Sequence, residues 1–189
     1  MLKFIFKAVY YIVDDLIHQR KIVSFLKNKK IKTIIDIGAH KGEFLKAVSK
    51  IESVQKVYSL EQQKKIYKKI LEKTDAKRNK AYNLAISNKE DQKKLSINKL
   101  SMTSTFSKVK VKKLDNFVKM IKIKNKIDLL KIDTEEHELE VLKSGIRTLS
   151  KVKFILIEFR LNDMYLNYSS TKIHNFLKQN KFKLVKKFK

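Results

Sequence analysis

The sequence predicts an α/β chain built on a doubly wound, mostly parallel sheet with helices on both faces, preceded by an N-terminal amphipathic helix. Three observations carry this. Four short apolar runs, Ile34 to Ile37, Val57 to Leu60, Asp128 to Ile132 and Phe154 to Ile157, are continuous rather than alternating, as strands buried on both faces require. Segments of helical spacing separate most of them, which is the order of βαβ units. A glycine-containing turn follows the first run, and acids stand at the ends of three runs, at Asp36, Glu61 and Asp133.

Taken in order, residues 2 to 17 place Leu2, Ile5, Phe6, Val9, Ile12 and Val13 at three- and four-residue spacings, the stripe of an amphipathic helix. The helix is too short, and too interrupted by Lys7, to span a bilayer. Asp14-Asp15 stands where a secretory signal would need small residues. The expectation is a helix that packs on the following domain, with an interfacial membrane contact as the second reading. A polar linker, Lys27 to Lys32, follows, so residues 1–30 form the helix and linker and 31–189 the domain. Helical spacing recurs over 43–50, 63–72 and 138–149; in the last, Leu139, Leu142, Ile146 and Leu149 share a stripe. Between about Lys80 and Asp115 short strand candidates (81–86, 94–97 and 109–112) suggest an inserted antiparallel excursion. The end of the chain, Phe182 to Val185, supplies one further strand candidate for the sheet.

Composition bounds the chemistry. A chain of 189 residues with 43% hydrophobic and 34% charged residues is most simply one globular domain. Without cysteine there are no disulfides, no thiolate-bound zinc and no thiolate nucleophile. The net charge is +26, but lysine supplies 41 of the 45 cations and arginine four. An ammonium is a poorer fork for phosphate or guanine than a guanidinium, so the excess reads first as a solvated surface. An anionic membrane is a further partner reading, and nucleic acid a weaker one.

The turn Asp36-Ile37-Gly38-Ala39-His40-Lys41-Gly42 holds two of the three glycines. Glycine there lets the backbone take unusual dihedrals and lets a ligand approach a helix N-terminus. The spacing is not G-x-G-x-x-G, and Asp36 would repel a pyrophosphate, so a cofactor carrying positive charge suits it better than a dinucleotide. Glu61 closes the second strand, where a carboxylate can accept hydrogen bonds from ribose hydroxyls.

Several blocks together resemble the FkbM-type methyltransferases: Thr33 to Gly42, Ser59-Leu60-Glu61, Asn83 to Ser87, Lys113-Leu114-Asp115, Asp128 to Gly145, and Ile155 to Phe159. They occur in the family's order and cover roughly residues 31 to 180. The resemblance implies a Rossmann-like class I methyltransferase fold that binds S-adenosylmethionine and methylates an oxygen. It gives Asp36, Gly38, Ala39, His40 and Gly42 the methionine end and backbone of the cofactor, and Glu61 the ribose. It places Asn83, Ala85 and Ile86 beside the adenine, and Asp133 with Glu135 facing the transferable methyl and the substrate.

The chain departs from the family pattern at three positions. His40 stands where the family usually has Asn, Gln62 follows Glu61 in place of Pro, and Glu136 replaces the glycine of D-x-E-G-x-E. If that last position needs a positive φ, a side chain there costs about 1–2 kcal/mol. Asp133, Glu135, Glu136, Glu138 and Glu140 also form an acidic island in a lysine-rich chain. Carboxylates at a helix N-terminus explain part of it. Asp133, at a strand end, is the better candidate for a general base, with Glu135 and His137 as the others; His137 is expected in the first turn of a helix beginning near Glu135.

The expected function is S-adenosylmethionine-dependent O-methyl transfer to a glycan, a lipid-linked sugar or a small hydroxyl-bearing metabolite, in the cytoplasm or at the inner membrane face. No metal site is read from the sequence. Ser101 to Phe106 suits a loop over a sugar or polyol acceptor. Without Cys there is no cytosine-C5 nucleophile, and without Pro no Asn-Pro-Pro-Tyr loop for exocyclic amines. RNA ribose 2′-O methylation survives these exclusions. So does a non-catalytic protein in which the changes at His40 and Glu136 abolish turnover and surface lysines hold an anionic membrane or polymer.

Overall fold

The computed structural model describes residues 19–72, 75, 77–90, 92–96, 106–134, 136–158 and 170–188. The helix expected over 2–17 and most of the Ser101 to Phe106 loop lie outside these residues. The described elements are α1 (residues 19–27), β1 (Thr33–Ile37), α2 (Glu43–Val48), β2 (Lys56–Leu60), α3 (Lys64–Leu71) and β3 (Asn79–Tyr82). There follow β4 (Ala85–Ile86), β5 (Gln92–Ser96), β6 (Phe106–Lys112), α4 (Leu114–Met120) and β7 (Ile127–Ile132). The chain continues through α5 (Glu138–Lys143), α6 (Ile146–Leu149), β8 (Val152–Ile157) and α7 (Ser170–Gln179).

The main sheet has five strands in the order β3-β2-β1-β7-β8. Every neighbouring pair is parallel. Because successive side chains alternate faces, each strand feeds two cores. Ile35, Ile37, Leu130 and Ile132 point into one, with Leu114, Phe117, Val141 and Leu142 from α4 and α5 and Ile173 from α7. Ile34, Val57 and Leu129 point into the other, with Ile22 and Leu26 from α1, Phe44 and Leu45 from α2 and Ile70 from α3. Helices thus cover both faces, as the apolar runs required. No helix among the described residues is long and apolar enough to cross a membrane.

Local chemistry explains where sequence periodicity misjudged the boundaries. The strand expected over 81–86 is divided between β3, in the main sheet, and β4, in a second sheet of order β4-β6-β5. Asn83 breaks it: its amide Nδ2 donates to the carbonyls of Glu61 and Gln62, both at 2.9 Å, and turns the chain out of the sheet. The second sheet is mixed rather than antiparallel, β4 pairing parallel with β6 and β5 antiparallel. Helix α4 was not anticipated, although Leu114, Phe117, Val118 and Ile121 carry its spacing. Phe182 to Val185 forms no strand, and Leu184 and Val185 are 60% and 67% exposed.

The helix expected over 138–149 is interrupted at Ser144-Gly145 to seat α4. The Ser144 hydroxyl accepts a hydrogen bond from the Leu114 N–H at 3.0 Å, and the Ser144 carbonyl accepts from the Asp115 N–H at 3.2 Å. Asp115 in turn accepts from the Thr148 N–H and hydroxyl, each at 2.7 Å. Burial opposes ionisation of Asp115, but these bonds and those from Arg147 outweigh it and hold its carboxyl below the usual range. The Lys-Leu-Asp and Ser-Gly blocks are therefore two halves of one joint.

Gly145 leaves no room in that joint, since a Cβ on it would stand 2.5 Å from Leu114 Cδ2. Gly145→Ala should therefore destabilise the fold by about 1–3 kcal/mol in urea unfolding. Leu114→Ala combined with it should cost less than the sum of the single changes, because the two positions share one contact. Additive losses would place the strain elsewhere.

Candidate active site

A doubly wound sheet opens a crevice where its strand order reverses, outside the carboxyl ends of the flanking strands. Here the reversal lies between β1 and β7. The Gly38 and Ala39 N–H groups both donate to the Leu60 carbonyl at 3.0 Å, joining the β1–α2 turn to the end of β2. The Asp133 N–H donates to the Ile37 carbonyl, also at 3.0 Å, joining it to the exit of β7. Gly38 adopts φ +78, and a Cβ there would lie 1.7 Å from the Asp133 carbonyl oxygen. Only glycine permits this backbone-to-backbone approach. Gly42, at φ 78, is the N-cap residue of α2.

His40 lies between them at φ 47. That left-handed region enriches Asn and His among non-glycine residues, so the ring replaces the family's amide without leaving the conformation. Its Nδ1 stands 3.5 Å from Glu43 Oε2 near the surface. The His40 backbone N–H donates to Glu61 Oε2 at 3.0 Å, and the Gln63 N–H donates to Glu61 Oε1 at 2.7 Å. Each oxygen therefore keeps a lone pair for another donor. Burial pushes the Glu61 carboxyl above its ordinary pKa, with the two backbone donors opposing.

Beneath the turn runs a line of three charges. Asp36 on β1 faces Lys131 on β7 in the sheet register, and Asp133 follows two residues later on the same face. The Lys131 ammonium lies 3.4 Å from Asp36 Oδ1 and 3.0 Å from Asp133 Oδ2. It also stands 5.5 Å from the centroid of the Phe44 ring. Side-chain exposure rises along the line from 0% at Asp36 to 11% at Lys131 and 29% at Asp133. Burial pushes the Asp36 carboxyl up despite the attraction of Lys131, and Asp133 adds repulsion. The Lys131 ammonium is raised as well: burial opposes its charge, but two acids flank it. The shifts agree, because the cation has two acids while Asp36 has one cation and a second acid nearby.

The segment after β7 is held from within. Glu138 Oε1 accepts from the Thr134 N–H at 3.0 Å and from its hydroxyl at 3.2 Å. Its Oε2 is buried without a hydrogen-bond partner. Glu136 adopts φ 80, so the side chain that replaces the family's glycine does sit in the left-handed region. Helix α5 begins at Glu138 rather than near Glu135, which moves His137 from the first turn to the N-cap position. His137 Nε2 lies 2.9 Å from the Ser87 hydroxyl, tying the β7–α5 segment to the end of β4. Glu135 lies outside the described residues.

Asp36, Gly38, Ala39, His40, Gly42, Glu61, Asn83 and Asp133 thus gather along one edge of the sheet. Asp36 sits below that surface, wholly buried, and reaches it only through Lys131. Asn83 binds the chain after β2. Ala85 and Ile86 belong to the second sheet, and Ile86 is 3% exposed within the core. Lys131 and Ser87 were not singled out from sequence, and Glu138 only as part of the acidic island. A lysine inside the apolar run Asp-Leu-Leu-Lys-Ile was a signal for Lys131, since a buried ammonium needs partners.

Two outcomes follow for stability. Lys131→Met leaves Asp36 buried without its cation and should cost about 3–5 kcal/mol at neutral pH. An acid whose folded pKa is raised favours the folded state when protonated, so the loss should shrink as pH falls toward 3.8, the ordinary value for Asp36. Adding Asp36→Asn should recover part of it, and a pH-independent loss in urea unfolding would contradict the charge line. Glu136→Gly should raise stability by about 1 kcal/mol by relieving the left-handed backbone; an unchanged urea midpoint would show no strain there.

Comparison with known proteins agrees with this architecture. No curated protein matches the chain. The crystal structure of methyltransferase FkbM from Methylobacillus flagellatus KT is 18% identical, with a TM-score of 0.58 over 79% of this chain and 37% of that one. The present chain thus spans little more than a third of that protein's length. The methyltransferase domain of bacterial-CtHen1-C is 13% identical, with a TM-score of 0.50 over 87% of this chain and 85% of that one. At these identities the likeness is one of fold. The model of the methyltransferase FkbM domain, however, matches residues 36–184, most of the chain and the crevice residues from Asp36 to Asp133, and the chain belongs to that methyltransferase family.

Proposed function

We propose that the protein transfers a methyl group from S-adenosylmethionine to a hydroxyl oxygen of a glycan, a lipid-linked sugar or a small metabolite. The observation that carries this reading is Asp133: a carboxylate at the sheet reversal, partly open to the crevice and oriented by a buried ammonium. The residues suit the cofactor. The glycine turn admits its backbone-sized methionine end, Glu61 retains lone pairs for ribose hydroxyls, and the acids at the edge favour a cation within a chain of net charge +26.

S-adenosylmethionine supplies an already activated methyl group on a sulfonium, so the protein's share is alignment and proton removal. Asp133 is the group placed to accept the acceptor's hydroxyl proton as the carbon–oxygen bond forms and the carbon–sulfur bond breaks. Lys131 fixes the orientation of that carboxylate. His137, engaged with Ser87, is proposed to hold the rim rather than to take the proton.

Isothermal titration of the full chain with S-adenosylhomocysteine tests the reading. Binding is expected, and Glu61→Gln should weaken it about tenfold or more, the loss of hydrogen bonds to a charged group. Asp133→Asn should retain that binding but abolish transfer of labelled methyl to extracted polysaccharide, lipid-linked sugar or RNA pools. An O-methyl ether keeps its label in mild base; base-labile label would mark an ester and contradict hydroxyl methylation. Failure of the full chain to bind S-adenosylhomocysteine would overturn the proposal.

The net charge favours a second acceptor, the ribose 2′-hydroxyl of RNA. Labelling of RNA alone, with RNA binding that falls steeply with salt, would select it.

A further inference from the structure

The opposite edge of the sheet carries a cavity of about 470 Å³ between α4, α6 and the segments entering β7 and β8. Val118 and Ile123 supply apolar lining. Lys119, Lys122, Lys124, Arg147 and Lys151 line it from two stretches of chain, 119–124 and 147–151. Asp115 is the single acid among the lining residues, so five cations less one acid leave a formal charge of +4.

A general lysine excess does not account for this arrangement. Lysines near a helix C-terminus interact favourably with its dipole, which explains Lys119 and Lys122 at the end of α4. Arg147, in the last turn of α6 and paired with Asp115, is explained in the same way, which leaves Lys124 and Lys151. Asp115 is already committed to Thr148 and Arg147 through four hydrogen bonds. Among the described residues no ion pair involves Lys119, Lys122, Lys124 or Lys151. Four like charges around one concavity repel one another, and a bound anion relieves that repulsion.

The walls are also fixed. Asp115 clamps α4 to α6, and the Ile127 N–H donates to the Lys151 carbonyl at 3.0 Å, joining the two entry segments. The Ile123 N–H donates to the Val118 carbonyl at 3.3 Å, closing the end of α4. The volume falls in the range of small-ligand pockets, roughly 300–1,000 Å³. A concave site with apolar lining and a cationic rim suits a compact anion more than a flat membrane.

We propose that this cavity binds a small polyphosphate with an apolar or aromatic body, of nucleotide size, at a site separate from the methyl-transfer crevice. The phosphates lie against Lys122, Lys124 and Lys151, and the body covers the half-buried Ile123, Val118 being already enclosed in the core. Because the six-residue strand β7 separates the two edges by roughly 20 Å, both sites can be filled together.

ATP is the probe, titrated into the full chain with and without saturating S-adenosylhomocysteine. Binding is expected in both cases. The triple variant Lys122→Gln, Lys124→Gln, Lys151→Gln should weaken ATP binding by about tenfold or more, while its affinity for S-adenosylhomocysteine stays unchanged. A control with the same charge change on exposed α3 lysines, Lys64→Gln, Lys65→Gln, Lys68→Gln, should leave ATP binding within about twofold of the parent. Equal losses in both variants would reduce the effect to the overall field and overturn the site. So would absence of ATP binding, or loss of ATP on adding S-adenosylhomocysteine. Binding to phosphatidylglycerol vesicles that the triple variant loses, with no binding of ATP, would make the face a membrane contact and overturn it too.

Discussion

The crevice depends on one ammonium. Lys131 stands in β7, an interior strand of a parallel sheet, where an unpaired charge would be severely penalised, and it is tolerated because Asp36 lies below and Asp133 above it. The arrangement has a direction: the inner acid is sealed in the core, the outer one reaches the crevice. Burial of Asp36 keeps the ammonium in place, and the ammonium fixes the carboxylate that meets solvent. Around this line the backbones close in. Gly38 touches the Asp133 carbonyl, and Leu60 receives the turn, so the ends of β2, β1 and β7 are held as one surface.

Charge is distributed in opposite senses at the two edges of the sheet. The carboxyl ends of the strands collect Asp36, Glu61 and Asp133 with one buried lysine among them; the amino ends collect lysines around a cavity with one committed acid. The net charge of +26 describes neither edge. An acidic crevice favours a cationic cofactor despite that total, and the basic cavity concentrates part of the excess at the other edge. Membership of the FkbM methyltransferase family rests on the match of its domain model over residues 36–184, which includes most of the motif blocks. The structure gives those blocks distinct tasks: Lys-Leu-Asp and Ser-Gly form a packing joint, and Asn83 binds the chain end after β2.

Four of the five strands of the main sheet were legible because they read as unbroken apolar runs, whereas β3, Asn79-Lys80-Ala81-Tyr82, does not; the glycine turn was legible because only glycine serves there. Boundaries set by side-chain hydrogen bonds were not. Asn83 divides a strand and Ser144 interrupts a helix through partners 21 to 30 residues away, which local periodicity does not contain. Helix α4 was hidden by its length of seven residues. In the crevice, the acids stood out against lysine, but the cation joining two of them did not, being one of 41 lysines in the chain. The strain at Glu136 was readable only through comparison with a family glycine, and its φ of 80 supplies the physical reason.

The proposed seat of the cofactor is the surface organised by Asp36, Lys131 and Asp133. Heteronuclear NMR of the isotope-labelled full chain, recorded during addition of S-adenosylhomocysteine, tests it most directly. Amide shifts are expected to concentrate at Gly38, His40, Glu61 and Asp133, together with a change at the Lys131 ammonium, while Lys122 and Lys151 at the opposite edge remain unmoved. Shifts centred away from the β1 and β7 ends, or none at saturating ligand, would contradict it.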